Sequence, residues 1–349
     1  MKISEEVIER IKQENDIVDI ISESVRLKRS GRNFFGLCPF HNDKNPSFSV
    51  SQEKQIYKCF SCGEAGNVVT FVMKQKNLQY VEALKYLAEK ANIPLDLKEG
   101  RVDSSVNRKK DILYKVNVET GRFFFKNLTE NNVAKEYFSN RGIKNSTIRK
   151  FGLGYAKDEW SSLIYYLRKK GFKEETLLEA GLVSKSPKGK VYDRFRNRVM
   201  FPVFNIKGNV IGFGGRVLDD SKPKYINSPE NVVYSKGRHL FGLNIAKTEC
   251  SKRLLIVEGY MDVISLHQRG VKNVVAALGT ALTEQQGWLL RKSTEQVILG
   301  FDADGAGQTA VARSMEILQK MGCDMRVLQI EGAKDPDEFI VKFGEGRFK

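Results

Sequence analysis

The apolar and polar positions of the first hundred residues follow two different periods. Short apolar runs broken by turn residues predict strands from about 33 to 66. Two segments with helical spacing follow: "NVVTFVMKQKN", for which Asn67 is the expected cap, and "YVEALKYLAEKANI", which stops before Pro94. This part of the chain therefore predicts a small, turn-rich sheet closed by two helices.

The pattern changes in the middle of the chain. From about 109 to 180 the apolar positions recur at helical spacing, and Gly142 and Gly171 are expected to end helices. Between 189 and 217 two strand patterns flank the turn "IKGN", which predicts a hairpin. The "GFGG" stretch within the second strand is more typical of a bulge or twisted strand than of a nucleotide-binding loop.

After residue 252, short apolar runs alternate regularly with helical patterns. The runs are "LLIVE", "VVAAL", "VILGF" and "MRVLQI". Strands separated by helices of this length predict a parallel sheet built from crossover units. The middle and final parts of the chain are thus expected to differ in architecture.

The length of 349 residues is typical of two or three domains. We expect a linker at 99–108, where "KEGRVDSSVNRKK" has few apolar residues. The expected divisions are then 1–98, 109–250 and 251–341, with a short terminal piece at 342–349. The predicted fold class is multidomain α+β.

The distribution of charge changes what this architecture is expected to bind. The net charge is +16, and residues 101–200 alone carry 23 basic and 11 acidic groups. A charged stretch is most often a solvated face, but so local a surplus favours a polyanionic partner. No apolar run exceeds five residues and the first helix is amphipathic, so we expect a cytoplasmic protein without a membrane partner.

Four metal-ligating side chains come in two short pairs. Cys38 and His41 are separated by two residues, as are Cys59 and Cys62, and seventeen residues lie between the pairs. Together the pairs supply a tetrahedral Cys₃His set, which suits one Zn²⁺ ion. Four protein ligands leave no open coordination position, so the ion is expected to be structural. Buried thiols with an incidental histidine are the less favoured alternative.

Acidic residues follow three of the predicted parallel strands. The carboxyl ends of such strands form one edge, where ligands bind, so these side chains are expected to meet. Carboxylates in one cleft repel unless their pKa values rise or divalent cations compensate them, and oxygen ligands favour Mg²⁺ or Mn²⁺. Each residue could instead be a turn former or a helix cap, above all the second and the last of the set. The set is Glu258, Asp262, Asp302, Asp304, Asp335 and Asp337.

Basic and aromatic residues offer a second kind of contact. Arginines two apart in "DRFRNRVMFP" share one face of a strand and could follow phosphates, although a solvated strand face would alternate in the same way. Phe34, Phe35 and Tyr57 could stack on bases or form the core of the metal-binding ribbon. The chain has no Gly-x-x-x-x-Gly-Lys-Ser/Thr loop, which argues against a P-loop motor.

Several of these stretches together resemble the bacterial DnaG-type DNA primases, and the resemblance runs through almost the whole chain. The resemblance implies a zinc ribbon domain at 1–98, followed by a mixed α/β RNA polymerase domain. The amino-terminal subdomain of that domain would span 109–250, and its Toprim catalytic subdomain, a parallel-sheet α/β core, 251–341. Residues 342–349 would begin a truncated helical subdomain. The stretches are "CPFHNDKNPSFSV", "CFSCGEAGNVVTFVM", "RNRVMFPVFNIKGNVIGFGGRVL", "PKYINSPE", "EGYMDVISLHQRGVKNVVAALGTALT", "FDADGAGQTA" and "KDPDE".

The same resemblance implies roles for individual residues. Glu258, Asp302 and Asp304 would be catalytic and, with the other acidic residues named above, would hold Mg²⁺ or Mn²⁺. Contact with template or nucleotide is implied for Arg141, Arg196, Arg198, Arg216, Lys224 and Lys236.

The implied activity is template-directed synthesis of short RNA primers on single-stranded DNA from ribonucleoside triphosphates, for DNA replication. Implied partners are the template, the RNA primer and the replicative helicase, whose binding domain would lie beyond this chain, and the implied location is the nucleoid or replisome. One alternative is a Toprim topoisomerase or nuclease, but no signature of a placed tyrosine nucleophile is present. Another is a noncatalytic zinc-ribbon DNA-binding module, which would have no use for the acidic residues.

Overall fold

A computed structural model describes residues 5–93, 102–278, 282–301 and 305–348 of the chain. The chain divides into two compact units. The first comprises Met1–Ser105 with Glu316–Asp324, and the second comprises Val106–Met315 with Met325–Lys349. Among the described residues, no helix combines the length and apolar character that crossing a membrane requires.

The first unit is built on a five-stranded antiparallel sheet whose strands follow chain order. Asn67 accepts hydrogen bonds from the backbone N–H groups of Val69 and Thr70, so its prediction as a helix cap is confirmed. The strands are β1 (Lys28–Ser30), β2 (Asn33–Gly36), β3 (Phe48–Ser51), β4 (Ile56–Cys59) and β5 (Ala65–Asn67). The helices are α1 (Glu5–Glu14), α2 (Ile17–Ser22), α3 (Val68–Lys76) and α4 (Tyr80–Lys90).

The core of the sheet in this unit is aromatic. The rings of Phe40, Phe48, Tyr57 and Phe71 contact one another with centroid separations between 5.1 and 6.4 Å. Tyr57 is only 1% exposed, so it belongs to the ribbon core rather than to a base-stacking surface. Phe34 and Phe35 in β2 are half-buried.

A helical segment follows, interrupted by one strand. The first of its helices begins at Val102, so part of the predicted linker at 99–108 is helical. Gly142 and Gly171 have φ values of +67° and +85° just after helices, which confirms them as helix ends. The helices are α5 (Val102–Glu130), α6 (Asn132–Asn140), α7 (Asn145–Phe151), α8 (Ser162–Lys169) and α9 (Glu174–Glu179).

The strands of the middle region form a four-stranded antiparallel sheet and a separate two-stranded ribbon. These strands are β6 (Gly154–Ala156), β7 (Val183–Lys185), β8 (Val191–Asp193), β9 (Arg198–Phe204), β10 (Val210–Val217) and β11 (Tyr225–Asn227). The larger sheet has the order β11-β10-β9-β6, and β9 and β10 form the predicted hairpin. Its register shifts between Val210 and Gly212, just before the "GFGG" stretch, for which a bulge or a twisted strand is predicted, and the four residues of that stretch pair in regular register.

The last region contains the predicted parallel sheet. Its strands are β12 (Arg253–Val257), β13 (Val274–Ala276), β14 (Gln296–Leu299) and β15 (Asp324–Val327), in the order β13-β12-β14-β15. The central strand β12 is parallel to both of its neighbours, which confirms the prediction from the alternating pattern. The helices are α10 (Leu243–Ala246), α11 (Tyr260–Gln268), α12 (Glu284–Ser293), α13 (Gly305–Lys320), α14 (Pro336–Phe343) and α15 (Glu345–Phe348), and a 3₁₀ turn spans Lys236–Arg238.

One buried ring joins the two sheets of the second unit. Tyr260, at the start of α11, stacks on Phe201 of β9 with centroids 4.9 Å apart and meets Phe241 edge-on at 4.7 Å. A Cβ at Gly214 of β10 would lie 2.4 Å from the Tyr260 ring, so only glycine permits this approach. The carboxyl edge of β12 is thereby held against the antiparallel sheet.

A buried carboxylate from the small ribbon fixes the start of a helix. Asp193 is 1% exposed and accepts hydrogen bonds from the backbone N–H groups of Leu163 (2.8 Å) and Ile164 (3.0 Å). Ser161, the residue before α8, makes no side-chain capping bond. Asp193 therefore caps α8 from a distant point in the sequence, although it also lies in the basic motif "DRFRNR".

Replacing Asp193 with alanine should destabilise the second unit by about 2–3 kcal/mol, because two buried N–H groups lose their acceptor. Chemical denaturation gives the free energy of unfolding, and hydrogen exchange should show lost protection at Leu163 and Ile164. Asp220→Ala, which removes an exposed carboxylate from the same unit, is the matched control. Parent-like stability and exchange in Asp193→Ala would refute the capping role.

Candidate functional site

The four predicted zinc ligands lie together in the first unit. The ligand atoms of Cys38, His41, Cys59 and Cys62 are all within 4.8 Å of one another. The Cys38 and Cys62 Sγ atoms are 3.9 Å apart, as are Cys59 Sγ and His41 Nδ1. A tetrahedral zinc ion with bonds of about 2.3 Å places neighbouring ligand atoms about 3.8 Å apart. The four side chains therefore fit a structural zinc ion.

Two turns of the ribbon present the sulfur ligands. The backbone N–H of Phe40 donates to Cys38 Sγ, and that of Cys62 donates to Cys59 Sγ, both at 3.4 Å. Burial raises the pKa of the Cys38 thiol above its ordinary value. Without a cation this thiol would hold its proton, so a metal ion that binds the sulfur must displace that proton.

The carboxylate of Asp43 and the hydroxyl of Ser47 contact the residues that supply the zinc ligands. Asp43 Oδ1 lies 3.6 Å from His41 Nε2, while Oδ2 accepts hydrogen bonds from the Cys38 N–H (3.0 Å) and from Ser47 Oγ (2.5 Å). Ser47 Oγ is also 3.2 Å from Cys59 Sγ. With Nε2 facing Asp43 and Nδ1 facing Cys59, His41 is oriented to bind zinc through Nδ1.

The second unit contains a cavity of about 390 Å³ at the carboxyl edge of its parallel sheet. Acidic and basic side chains both line it, together with aromatic and amide groups. The acidic residues are Glu258, Asp262, Asp335 and Asp337, and the basic ones are Arg141, Arg216, Lys224 and Lys334. Tyr225, Asn227, Tyr260 and the end of β13 complete the walls.

The acidic residues reach the cavity in two ways. Glu258 directly follows β12 and is half-buried. Asp262 accepts a hydrogen bond from the Gly259 N–H at 2.8 Å, and Asp335 accepts one from the Glu338 N–H at 2.7 Å. Asp337 lies in the first turn of α14. Asp262, Asp335 and Asp337 thus lie at the starts of helices, as the alternative interpretation of the acidic residues predicts. All four acids nevertheless line the cavity.

Asp302 and Asp304 lie outside the described residues. The strand that precedes them in sequence, β14, runs parallel to β12 with Leu299 opposite Ile256. The Gly300 N–H donates to the Ile256 carbonyl at 2.8 Å. β14 therefore ends at the same edge of the sheet as the strand that carries Glu258, and the meeting of Glu258 with the two aspartates stays a prediction.

Three of the six predicted basic residues line the cavity, namely Arg141, Arg216 and Lys224. Arg141 Nη1 is 4.0 Å from Asp337 Oδ2, so a positive and a negative side chain lie next to each other in the cavity lining. Arg216 donates a hydrogen bond to the hydroxyl of Tyr137. Cations and carboxylates in one cavity are suited to a ligand that is itself anionic and bound with metal ions.

The other three predicted basic residues lie outside the cavity lining. The Arg196 guanidinium stacks on the exposed ring of Trp160, 4.0 Å from its centroid. Lys236 begins the 3₁₀ turn, where its backbone carbonyl accepts a hydrogen bond from Gln286.

Arg198 is only 7% exposed, and burial lowers its pKa. Its guanidinium donates to the backbone carbonyls of Gly215, Pro223 and Lys224. These contacts indicate that Arg198 positions the segment carrying Lys224.

Three neutral side chains of the cavity, those of Tyr225, Asn227 and Tyr260, were not predicted from the sequence. Burial raises the pKa of Tyr260 well above its ordinary value, so its hydroxyl stays protonated and donates to Asn227 Oδ1 at 2.7 Å. Asn227 Nδ2 in turn donates to the Leu278 carbonyl at 3.2 Å. Tyr225 and Asn227 are two apart in "PKYINSPE", a spacing that predicts one shared strand face and could have revealed them.

Comparisons with known proteins account for most of the chain. Three family models match it: the CHC2 zinc finger over residues 3–103, the N-terminal domain of the DNA primase catalytic core over 123–247, and the Toprim-like domain over 255–340. A DNA primase of Clostridium acetobutylicum is 57% identical over 347 residues, covering 99% of this chain and 58% of that protein.

Solved structures of primases are similar to this chain as well. The Aquifex aeolicus primase, comprising zinc-binding and RNA polymerase domains, is 39% identical with a TM-score of 0.65, over 98% of this chain and 83% of that one. The chain belongs to the family of bacterial DnaG-type DNA primases. A DnaG primase catalytic domain bound to single-stranded DNA is 36% identical with a TM-score of 0.63, over 69% of this chain and 80% of that one.

Membership of the primase family confirms the predicted fold, a zinc ribbon followed by a mixed α/β region with a Toprim core. It also favours the primase prediction over a topoisomerase, a nuclease or a noncatalytic DNA-binding module. The chain spans 58% of the length of the Clostridium primase, and the predicted domain boundaries stay predictions.

Asp43→Asn should weaken zinc binding by about 10- to 100-fold, because the substitution removes the charge that orients His41 and supports the ligand set. Competition with a chromophoric chelator on the full chain gives the zinc dissociation constant. Asp19→Asn, an exposed acid on α2, is the control and should bind zinc as the parent does. An unchanged zinc dissociation constant in Asp43→Asn would argue against this supporting role.

Proposed function

We propose that this chain performs template-directed synthesis of short RNA primers on single-stranded DNA, using ribonucleoside triphosphates and Mg²⁺ or Mn²⁺. The observation that carries the proposal is the cavity at the carboxyl edge of the parallel sheet, where Glu258 faces a space shared by Asp335, Arg216 and Lys224. Such an edge is where open α/β sheets bind ligands. Carboxylates opposite cations suit a metal-bound polyphosphate.

The acidic residues of the proposed site serve the metal ions. Glu258, Asp302 and Asp304 would hold Mg²⁺ or Mn²⁺, with Asp262, Asp335 and Asp337 as further carboxylates at the same edge. A divalent ion supplies charge neutralisation for the phosphates during in-line displacement. Because several carboxylates that line one cavity repel one another, the cavity is expected to bind cations before or together with nucleotide.

The basic residues of the cavity would bind and orient the phosphates of the incoming nucleotide. Arg141, Arg216 and Lys224 all line the cavity, and the contacts of Arg198 hold the backbone at Lys224. The 3′-hydroxyl of the primer would attack the α-phosphate, and pyrophosphate would leave. Fixed cations at the departing phosphates favour this step, because they need no rearrangement as charge develops.

Template contact is proposed for residues outside the cavity. Arg196 stacks on Trp160, which is 62% exposed, and a cation beside an exposed ring suits a phosphate with its neighbouring base. Lys236 would contact template or nucleotide as well. The related catalytic domain solved with single-stranded DNA supports this kind of partner.

Two further proposals concern the place of this protein in the replication machinery. We propose that the zinc unit takes part in choosing the start site on the template and that the protein works with the replicative helicase at the replisome in the cytoplasm. The family identity supports these roles, since primers are needed only where replication proceeds.

Glu258→Gln and Asp302→Asn should each reduce primer synthesis by about 100-fold or more while single-stranded DNA binding remains, because metal-bound charge stabilisation is lost. The full chain is incubated with single-stranded DNA, ribonucleotides and Mg²⁺, and the products are scored for RNA oligomers and for cut DNA, while a parallel reaction on supercoiled duplex DNA is scored for relaxation. Glu249→Gln, whose exposed carboxylate pairs with Lys272 at 3.7 Å outside the cavity, is the control. RNA synthesis at the parent rate in Glu258→Gln would remove Glu258 from the mechanism, and DNA cleavage without RNA would favour the nuclease alternative.

The affinity for single-stranded DNA should fall with salt, by about 0.7 log unit per log unit of salt for each phosphate that the protein neutralises. Arg196→Ala should make that slope shallower by about 0.7, measured by fluorescence anisotropy of a labelled oligonucleotide. Arg253→Ala removes an exposed cation at the amino end of β12 and should leave the slope unchanged. A slope that Arg196→Ala leaves intact would contradict the proposed phosphate contact.

A further inference from the structure

Tyr137 of α6 contacts two of the cavity arginines. Its hydroxyl accepts a hydrogen bond from Arg216 Nη1. Its ring centroid is 5.1 Å from the Arg141 guanidinium carbon and 5.2 Å from that of Arg216. Tyr137 itself is half-buried and does not line the cavity.

Arg216 lies close to two aromatic rings. Besides Tyr137, the ring of Tyr225 of β11 has its centroid 5.7 Å from the Arg216 guanidinium carbon. Within the described part of the chain, Arg216 makes no ion pair with a carboxylate, and its buried Nε has no hydrogen-bond partner. A guanidinium fixed in this way keeps donors and a full charge for an anionic ligand.

Arg141 supplies a second cation beside the same ring. It follows α6 directly, one helical turn after Tyr137, and Asp337 is 4.0 Å away. Two guanidinium groups beside the same ring repel each other. An anion that binds both groups would offset this repulsion. The triphosphate of a nucleotide is such an anion.

We infer that Tyr137 is a positioning residue, which holds Arg141 and Arg216 as one two-pronged receptor for the triphosphate of the incoming ribonucleotide. The inference rests on the proposed function. The hydroxyl orients Arg216, and the ring limits the positions open to both guanidinium groups. Side chains ordered before binding lose less conformational entropy when the nucleotide arrives, which lowers the Michaelis constant.

Two variants separate the contributions of Tyr137. Tyr137→Phe removes the hydroxyl acceptor and keeps the ring, so KM for ribonucleoside triphosphate should rise about tenfold while kcat stays within about twofold. Tyr137→Leu removes the ring as well, so KM should rise by a further several-fold. Primer synthesis on single-stranded DNA gives both constants, and circular dichroism during heating checks that each variant is folded.

Tyr166→Phe is the matched control, since it removes a tyrosine hydroxyl that donates to Glu119 at 3.1 Å, away from the cavity. Its KM should equal that of the parent. An equal rise in KM in this control would show a general effect of losing a tyrosine hydroxyl and would overturn the inference. A parent-like KM in folded Tyr137→Phe, or a lower kcat with KM unchanged, would overturn it too.

A titration with the fluorescent nucleotide mant-ATP distinguishes this inference from the proposed function. If the parent binds mant-ATP and Tyr137→Phe binds it about tenfold more weakly, the positioning role stands even when the parent makes no RNA. If the parent makes RNA and both proteins bind mant-ATP equally, the proposed function stands and the positioning role of Tyr137 is wrong.

Discussion

The parallel register of β12 with its neighbours is the constraint on which the candidate site depends. Leu255, Ile256 and Val257 pair with the three residues of β13, and β14 runs alongside in the same direction. The carboxyl ends of these three strands therefore fall at one edge, and residues far apart in the chain can reach one cavity there. Tyr260 packed on Gly214 holds this edge against the antiparallel sheet, which contributes Arg216 and the segment that carries Lys224.

The balance of acidic and basic side chains in the cavity determines which ligands this edge of the sheet can bind. Four described carboxylates line the cavity, and they stay compatible with folding because arginine and lysine side chains lie opposite them. In the proposed function, the carboxylates of this cavity hold divalent cations and its basic side chains hold phosphates. Tyr137 adds a further element, because its ring lies beside the guanidinium groups of both Arg141 and Arg216, two cations that an anionic ligand could bind together.

Much of this organisation could be read from patterns in the chain. The spacing of Cys38, His41, Cys59 and Cys62 predicted a single metal site, since each pair is local and its geometry follows from the turn that holds it. The alternation of strands and helices after residue 252 predicted the parallel sheet for a similar reason. Arg198 shows where such inference ends: its place in a basic motif suggested phosphate contact, whereas its side chain is buried among three carbonyl groups.

The sequence by itself determined which side chains are available, the ligand spacing of the zinc ribbon and the order of the strands, because these depend on local periodicity and short-range turns. The tertiary structure alone decided partners across long separations. Asp193 caps a helix thirty residues earlier, and Tyr137 meets Arg216 across 79 positions. No local pattern encodes such contacts, since they arise when two surfaces, each formed by its own segment, are packed together.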